Sequence, residues 1–358
     1  MKYRNRFFGM FAIVTTLIIS ISNAKGQIVK EEKVWVLQER KLPLSQVASK
    51  TLRDHLVKVG QPNLTASLNK IIHSQEEWDK LIVVQRKPII AAAKALAKRM
   101  KTKIKEEKIA GVTVFKVIPK NINPKNKNRL FVHAHGGAYV FNGGKAGLIE
   151  AILIANRTEI PVISIDYRMP PKHPFPAALE DVVLVWKGLL KRWDAKSMAL
   201  GGTSAGGGLV LASIHKFKEL ELPLPGALFA GTPWSDLTKT GDSYFTNEGI
   251  DTVLVSYEGI LDGAAKLYAG NYKLTNSLIS PVYGDFKGFP PTYLVSGTRD
   301  MFLSNTVRVH RKLRTAGVEA DLNIYESLSH AEYLSVIDSP ESKQVFIELE
   351  AFLLKYLK

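Results

Sequence analysis

The feature that most constrains this chain is a glycine-flanked serine between an apolar run and a helical segment. The apolar run is 198–200, the serine is Ser204 within Gly-Gly-Thr-Ser-Ala-Gly, and the helical pattern covers 209–220. A strand, a sharp turn and a helix in this order expose the serine above the end of a sheet. Side chains at Gly202 and Gly206 would collide with neighbouring backbone in such a turn. The helix N-terminus behind the serine favours negative charge. We therefore treat Ser204 as a candidate nucleophile, although this pattern also occurs in ordinary glycine-rich turns.

Strand-like and helix-like segments alternate over most of the remaining chain. Strands are predicted at 112–118, 129–135, 162–166, 227–230, 292–296 and 319–325, together with the strand that leads from the apolar run 198–200 into Ser204. Helices are predicted at 146–156, 176–190, 209–220, 303–316 and 342–357. Alternation of this kind is typical of an α/β fold, in which a mostly parallel central sheet carries helices on both faces.

The segment 27–110 has a different pattern and is predicted to be an N-terminal helical cap. Apolar residues recur at helical spacing over 66–78 and 81–100, and Pro88 is expected to kink or interrupt the second helix. The lysine-rich stretch 100–108 is predicted to continue that helix. The mixed stretch 233–290 interrupts the later alternation and is expected to contribute to the same cap. The α/β domain then covers 111–358.

The first residues have the pattern of a secretory signal. Lys2, Arg4 and Arg6 precede an apolar stretch at 7–21, and small residues follow at 22–24. A membrane anchor is the alternative, but about 15 apolar residues are short of the roughly 20 that span a bilayer. We expect residues 1–26 to be a cleaved signal, with export to the periplasm or the outside and no stable membrane insertion afterwards.

Composition excludes several classes of protein. Of 358 residues, 46% are hydrophobic and 23% are charged, which is typical of a folded domain. The absence of cysteine excludes disulfides, zinc–thiolate sites and cysteine nucleophiles. Of the net charge of +16, residues 28–110 contribute +9, with 18 Lys/Arg against 9 Asp/Glu. Because this segment lacks arginine clusters and interleaved aromatic residues, we expect a solvated lysine-rich surface and no nucleic-acid partner. Docking on anionic material is the alternative.

A serine nucleophile needs a base and an acid, and behind a turn of this kind they follow in the order acid, then histidine. His330 lies in a loop after the last predicted strand, whereas His310 lies within an amphipathic helix. Asp300 follows the strand 292–296, so His330 and Asp300 are predicted to be the base and the acid, although Asp300 could instead cap the next helix. The weaker candidates for the acid are Asp321, Glu326 and Asp338.

Consecutive glycines after the strand 129–135 predict a site for the oxyanion. Backbone N–H groups of Gly136 and Gly137 can point into the site because glycine tolerates unusual dihedral angles, and the N–H of Ala205 would be a third donor. His135 precedes the serine and is interpreted as structural, and His133 as a strand residue.

The motifs together resemble the hormone-sensitive-lipase-like group of α/β-hydrolases, the bacterial family IV esterases. The resemblance covers about residue 108 to the end. The matching motifs are His-Gly-Gly-Ala at 135–138, Asp-Tyr-Arg at 166–168, His-Pro-Phe-Pro-Ala-Ala-Leu-Glu-Asp at 173–181, Gly-Thr-Ser-Ala-Gly at 202–206 and Gly-Thr-Arg-Asp at 297–300. The sequence departs from the family at Asp300, where the Gly-Thr-Ser-Ala-Gly branch often has glutamate. It departs again in the residues around His330.

The resemblance implies a serine carboxylesterase with an α/β-hydrolase fold. Ser204, Asp300 and His330 would form the catalytic triad, and Gly136, Gly137 and Ala205 the oxyanion hole. Small-molecule esters with short to medium acyl chains are the expected substrates, and lactones or acetylated sugars are alternatives on the same site. Neither a metal nor an organic cofactor is expected, since no such motif is present. A non-catalytic ligand-binding α/β-hydrolase is the alternative function, and the oligomeric state stays open, a homodimer included.

Overall fold

The computed structural model describes Glu39 and residues 41–358, so the predicted signal at 1–26 lies outside the described residues. The compact unit Leu44–Lys358 is built on a sheet whose eight described strands run in the order β1-β2-β4-β3-β5-β6-β7-β8. The strands are β1 (Lys103–Ile109), β2 (Val112–Ile118), β3 (Leu130–Ala134), β4 (Val162–Ile165), β5 (Met198–Thr203), β6 (Ala227–Gly231), β7 (Thr292–Gly297) and β8 (Ala320–Tyr325). β2 is antiparallel to β1 and β4, and the other pairs are parallel.

Helices cover both faces of this sheet, as the alternation predicts. The helices are α1 (Lys50–Val59), α2 (Leu64–Leu68), α3 (Gln75–Arg99), α4 (Leu148–Thr158), α5 (Ala177–Leu189), α6 (Ala205–Glu219), α7 (Ser243–Thr246), α8 (Ile260–Ala269), α9 (Leu303–Thr315) and α10 (Pro340–Tyr356).

Two hydrophobic clusters form because successive side chains of a strand point to opposite faces. In β5, Met198 and Leu200 join the cluster under α5, α6 and α9, whereas Ala199 joins the cluster under α1, α4 and α10. The strands of the centre of the sheet are buried on both sides, which is why their sequences are continuously apolar.

The prediction of a helical continuation at 100–108 is wrong, because this stretch forms strand β1. It pairs with β2 in register across the tight turn at Ala110 and Gly111, both of which have positive φ. Such a turn is the usual connection of a two-residue hairpin. The lysines and glutamates of β1 are largely exposed at the edge of the sheet. Exposed charged residues are found both on the solvent face of a helix and on an edge strand, so charge alone does not distinguish the two.

The helices of the N-terminal segment differ in detail from the prediction. The predicted helix at 66–78 is instead a short α2 followed by the start of α3, whose N-cap Ser74 accepts a hydrogen bond from the Glu77 N–H. α3 continues through Pro88 without interruption. Its residues Trp78, before the proline, and Leu96, after it, are both buried. Within residues 41–358, none of the helices is long and apolar enough to cross a membrane.

The carboxyl ends of four strands converge at one edge of the sheet. β3 leads into the glycine loop, β5 into Ser204, β7 into Asp300 and β8 into the loop of His330. Since β3, β5, β6, β7 and β8 are parallel, these loops lie on the same side.

Candidate active site

Ser204 occupies a strained turn between β5 and α6. Its backbone has φ 62° and ψ −125°, a region that residues other than glycine rarely adopt. A Cβ at Gly202 or Gly206 would lie 2.0 or 2.1 Å from the Ala134 carbonyl oxygen, so the predicted collisions are confirmed. The Ser204 N–H donates to the Gly231 carbonyl at 2.8 Å, which fixes the turn against β6. The side chain is therefore held at the edge of the sheet, half-buried.

The structure brings Asp300 and His330 into direct contact. His330 Nδ1 lies 3.0 Å from Asp300 Oδ1, and both side chains are buried. The carboxylate also accepts hydrogen bonds from the Ser296 hydroxyl at 2.6 Å and the Phe302 N–H at 2.8 Å, which fix its orientation. His330 Nε2 is buried and has no hydrogen-bond partner among the described residues, and His330 and Ser204 both line one cavity. An unpaired imidazole nitrogen can accept a proton from outside the pair.

The glycine loop after β3 lies directly against the serine. A Cβ at Gly136 would lie 2.7 Å from the Thr203 carbonyl oxygen and 3.3 Å from Ser204 Cβ, so only glycine allows this approach. The Gly136 carbonyl accepts from Asn142 Nδ2 at 3.3 Å and lies 2.8 Å from His135 Nδ1. Both contacts fix the orientation of this peptide group. The following N–H, that of Gly137, points in the opposite direction to the Gly136 carbonyl, because the two bonds of a trans peptide are antiparallel.

His135 is held in the neutral form. Burial lowers its pKa to about 4, and its ring stacks on Tyr167 at a centroid distance of 4.2 Å. The Tyr167 hydroxyl donates to the His135 carbonyl at 2.6 Å. These contacts agree with the structural role expected for His135.

Asp251 is a buried carboxylate beside the pair that the sequence analysis did not find. One oxygen accepts from the Val253 and Leu254 N–H groups, and the other accepts from the Met301 N–H at 2.9 Å. The His330 N–H points to the same carboxylate at 3.4 Å. Burial and the negative charge of Asp300 raise the pKa of Asp251 to about 6. Asp251 therefore joins the loop of the acid to the loop of the histidine.

A second buried network lies behind the nucleophile. The Thr203 hydroxyl donates to Glu150 and lies 2.6 Å from the Tyr333 hydroxyl. The other Glu150 oxygen lies 2.9 Å from Nε2 of His133, whose Nδ1 is 2.9 Å from the Ser164 hydroxyl. His133 is a buried strand residue, as expected. A glutamate within the apolar helix α4 was the sequence signal that could have found this network.

The cavity above Ser204 has a volume of about 720 Å³. The residues that line it include the glycine loop, Ser204, His330 and Glu150. The N-terminal segment contributes Ala66, Ser67, Lys70, Gln85 and Ile89, and the 233–290 stretch contributes Val253, Leu254, Val255, Ser256, Ile260 and Leu261. Both segments expected to form the cap thus line the cavity.

The weaker candidates lie elsewhere. Asp321, Glu326 and Asp338 are exposed, and Asp338 pairs with Arg99 at 3.0 Å. His310 is half-buried on α9. Within the described part of the chain there is no cluster of three or more His, Asp or Glu side chains that could hold a metal ion.

Comparison with known proteins agrees with this architecture. A family model described as the alpha/beta hydrolase fold matches residues 131–334, more than half of the chain. The chain belongs to the α/β-hydrolases. A solved structure, that of an esterase named E25, is 46% identical, with a TM-score of 0.89 over 91% of this chain and 99% of that chain.

Other relatives place this α/β-hydrolase in the hormone-sensitive-lipase-like group, so the predicted membership is confirmed. An esterase of the bacterial hormone-sensitive lipase family is 27% identical, with a TM-score of 0.74 over 87% of this chain and 99% of its own. An esterase of Acinetobacter venetianus is 28% identical over 63% of this chain and 74% of its own length. An acetyl-hydrolase of Streptomyces hygroscopicus is 26% identical over 64% and 76%.

Proposed function

We propose that this α/β-hydrolase is a serine carboxylesterase that hydrolyses short- to medium-chain esters through an acyl-enzyme. The observation that carries the proposal is the Asp300–His330 pair, which leaves His330 Nε2 without a partner among the described residues and lies at the cavity that Ser204 also lines. The names of the relatives, esterases and an acetyl-hydrolase, support the same reaction class.

Acylation begins with attack of Ser204 Oγ on the ester carbonyl carbon. His330 Nε2 accepts the hydroxyl proton, and Asp300 stabilises the resulting imidazolium through the 3.0 Å contact to Nδ1. The carbonyl oxygen becomes an oxyanion, for which Gly136, Gly137 and Ala205 are the proposed N–H donors. As the first residue of α6, Ala205 has no intrahelical acceptor for its N–H. His330 then returns the proton to the leaving alcohol.

Deacylation repeats these steps with water. Water attacks the acyl-serine ester while His330 Nε2 accepts its proton, a second oxyanion forms at the same donors, and Ser204 leaves with the proton back on Oγ. The carboxylic acid is released, so atoms and charge balance without a further reactant.

The cavity supports small esters as the substrate class. A volume of about 720 Å³ holds a small-molecule ester but is far from the size of a macromolecular cleft. We propose that the helices of the N-terminal segment and part of 233–290 act as a cap that sets chain-length preference. Since 103–109 is a strand of the sheet, this cap ends before Lys103.

The test is hydrolysis of p-nitrophenyl esters from acetate to decanoate by wild type and Ser204→Ala. We expect turnover by wild type with the highest kcat/KM at short to medium chain length. The loss of the nucleophile is expected to lower kcat/KM by at least about 10³-fold. Ser213→Ala is the matched control, because this serine lies on the same helix α6 and bonds only the Leu209 carbonyl.

Absence of turnover by a folded wild-type protein would contradict the proposal. Retention of activity in Ser204→Ala would also contradict the proposal. A folded protein that binds esters in the cavity without turnover would instead be a ligand-binding α/β-hydrolase.

We also propose that the protein is exported, with residues 1–26 removed as a signal. The argument rests on the basic, apolar and small-residue order of the leader. N-terminal sequencing of the protein recovered from fractionated cells tests this. A mature N-terminus near residue 27 in the exported fraction supports export, whereas an intact N-terminus in the cytoplasm contradicts it.

A further inference from the structure

The residues after His330 differ from the family pattern, and the structure shows a buried charge at this place. Glu332 lies two residues beyond His330, and its side chain is fully buried. The turn between them is tight, because Ala331 has φ 52°. A carboxylate excluded from water needs hydrogen-bond donors for both oxygens.

The first set of donors comes from the loop of the histidine and its neighbour. Glu332 Oε2 accepts from the Ser329 N–H at 2.9 Å, which closes the loop around His330. Thr252 lies between them, with its hydroxyl 3.0 Å from Ser329 Oγ and 3.3 Å from Glu332 Oε1. Glu332 therefore holds the backbone immediately before His330.

The remaining polar contact comes from the N-terminal segment. His55 Nε2 on α1 lies 3.2 Å from Glu332 Oε1, close enough for an ion pair when the imidazole is protonated. His55 is half-buried and lies three residues after Leu52, one helical turn along α1. Leu52 and Leu56 are buried, at 0% and 3% exposed. Both leucines belong to the hydrophobic cluster that includes Tyr333, next to Glu332.

We propose that helix α1 is a positioning element of the active site, in which His55 holds Glu332 and thereby the loop that carries His330. The proposal rests on the role proposed above for His330. In this arrangement the N-terminal segment does more than cover the cavity, because the orientation of the base depends on the contact of His55 with Glu332. His55 is a positioning residue and touches neither substrate nor Ser204.

The geometry distinguishes this contact from the other attachments of α1. Ser49, the N-cap of α1, donates its N–H and its hydroxyl to Glu341 of α10, each at 2.7 Å. Lys50 and Asp54 form an exposed pair at 2.6 Å within the helix. Neither reaches the loop of His330. Substitutions at Ser49 and Asp54 therefore serve as matched controls for the His55–Glu332 contact on the same helix.

The kinetic test compares His55→Ala, His55→Gln, Asp54→Ala and Ser49→Ala on a p-nitrophenyl ester. His55→Ala is expected to lower kcat about 10-fold, because a small displacement of a catalytic group lowers the rate of the chemical step. KM is expected to stay unchanged within about twofold. His55→Gln is expected to restore kcat, since its amide can donate to the same oxygen. Asp54→Ala and Ser49→Ala are expected to retain kcat within about twofold.

A second measurement does not depend on turnover. The proton between His330 Nδ1 and Asp300 gives a far-downfield ¹H NMR signal that reports the order of this loop. We expect the signal to broaden or shift in His55→Ala and to persist in His55→Gln and Ser49→Ala. If wild type fails to hydrolyse esters, the proposed function fails while this comparison still decides the role of His55.

Two results would overturn the proposal. One is wild-type kcat and an unchanged downfield signal in His55→Ala. The other is an equal loss in Ser49→Ala and His55→Ala without recovery in His55→Gln, which would show that general docking of α1 matters and the Glu332 contact does not.

Discussion

The free energy of unfolding of Asp251→Asn, relative to that of wild type, is expected to be higher at pH 8 than at pH 5. The carboxyl is completely buried, and burial together with the charge of Asp300 raises its pKa from 3.8 to about 6. The folded protein therefore binds this proton more tightly than the unfolded chain. The contribution of Asp251 to stability falls as the pH rises from about 4 to about 6 and is constant above that range.

The magnitude follows from the shift. About two pKa units correspond to a penalty of about 3 kcal/mol when Asp251 is fully ionised. Between pH 5 and pH 8, wild type loses this stabilisation only over the one pH unit from pH 5 to the pKa of about 6. The change in the free energy of unfolding caused by Asp251→Asn should therefore differ by about 1.4 kcal/mol between pH 5 and pH 8. The hydrogen bond from the Met301 N–H favours the ionised carboxyl, and this preference is already contained in the pKa of about 6.

The assay is urea unfolding of wild type and Asp251→Asn at pH 5 and pH 8, on protein shown to unfold reversibly in one transition. Asp285→Asn is the control. This exposed carboxyl has a lowered pKa, because it accepts the Lys287 N–H, so it stays ionised across the range and should give no difference. A difference of zero, or of opposite sign, for Asp251→Asn would refute the reasoning.

Three further predictions concern the site. Asp300→Asn should lower kcat/KM about 10³- to 10⁴-fold with little change in the circular dichroism spectrum, because the imidazole loses the partner of its Nδ1; retained activity would contradict this. Gly206→Ala should greatly lower the yield of folded protein or the Tm, since its Cβ would lie 2.1 Å from the Ala134 carbonyl oxygen, and a wild-type Tm would show that the turn can relax. Tyr333→Phe should destabilise the protein by about 1 kcal/mol in urea unfolding by removing the hydroxyl from the Thr203 network, and an unchanged midpoint would mean that the contact contributes nothing.

The sheet and the principal site residues were accessible from the sequence because their signals are local. The geometry of the turn around Ser204 and of the glycine loop after β3 is determined by residues adjacent in the sequence. The continuous apolar strands likewise follow from burial on both faces. Asp300 and His330 each lie in the loop that follows a strand, and parallel strands bring their carboxyl ends together.

The supporting contacts were not accessible, because they join residues far apart in the chain. Asp251 meets residues 50 and 79 positions away, and nothing in its own neighbourhood indicates either contact. Glu332 lies among the residues around His330 that depart from the family pattern, but its partner His55 lies on a helix whose docking the sequence pattern does not specify. Strand β1 was missed for another reason. As an edge strand it is mostly exposed, so its sequence has the charge of a solvated helix.

The central claim is that Ser204, activated by His330, is the nucleophile, and stoichiometric labelling with diethyl p-nitrophenyl phosphate tests it most directly. We expect one equivalent of p-nitrophenolate per protein, a diethylphosphoryl group on Ser204 by peptide mass spectrometry, and loss of ester hydrolysis in parallel. Labelling of His330→Ala is expected to be slower by at least about 10³-fold. Label on another residue, or hydrolysis that survives complete labelling of Ser204, would contradict the account.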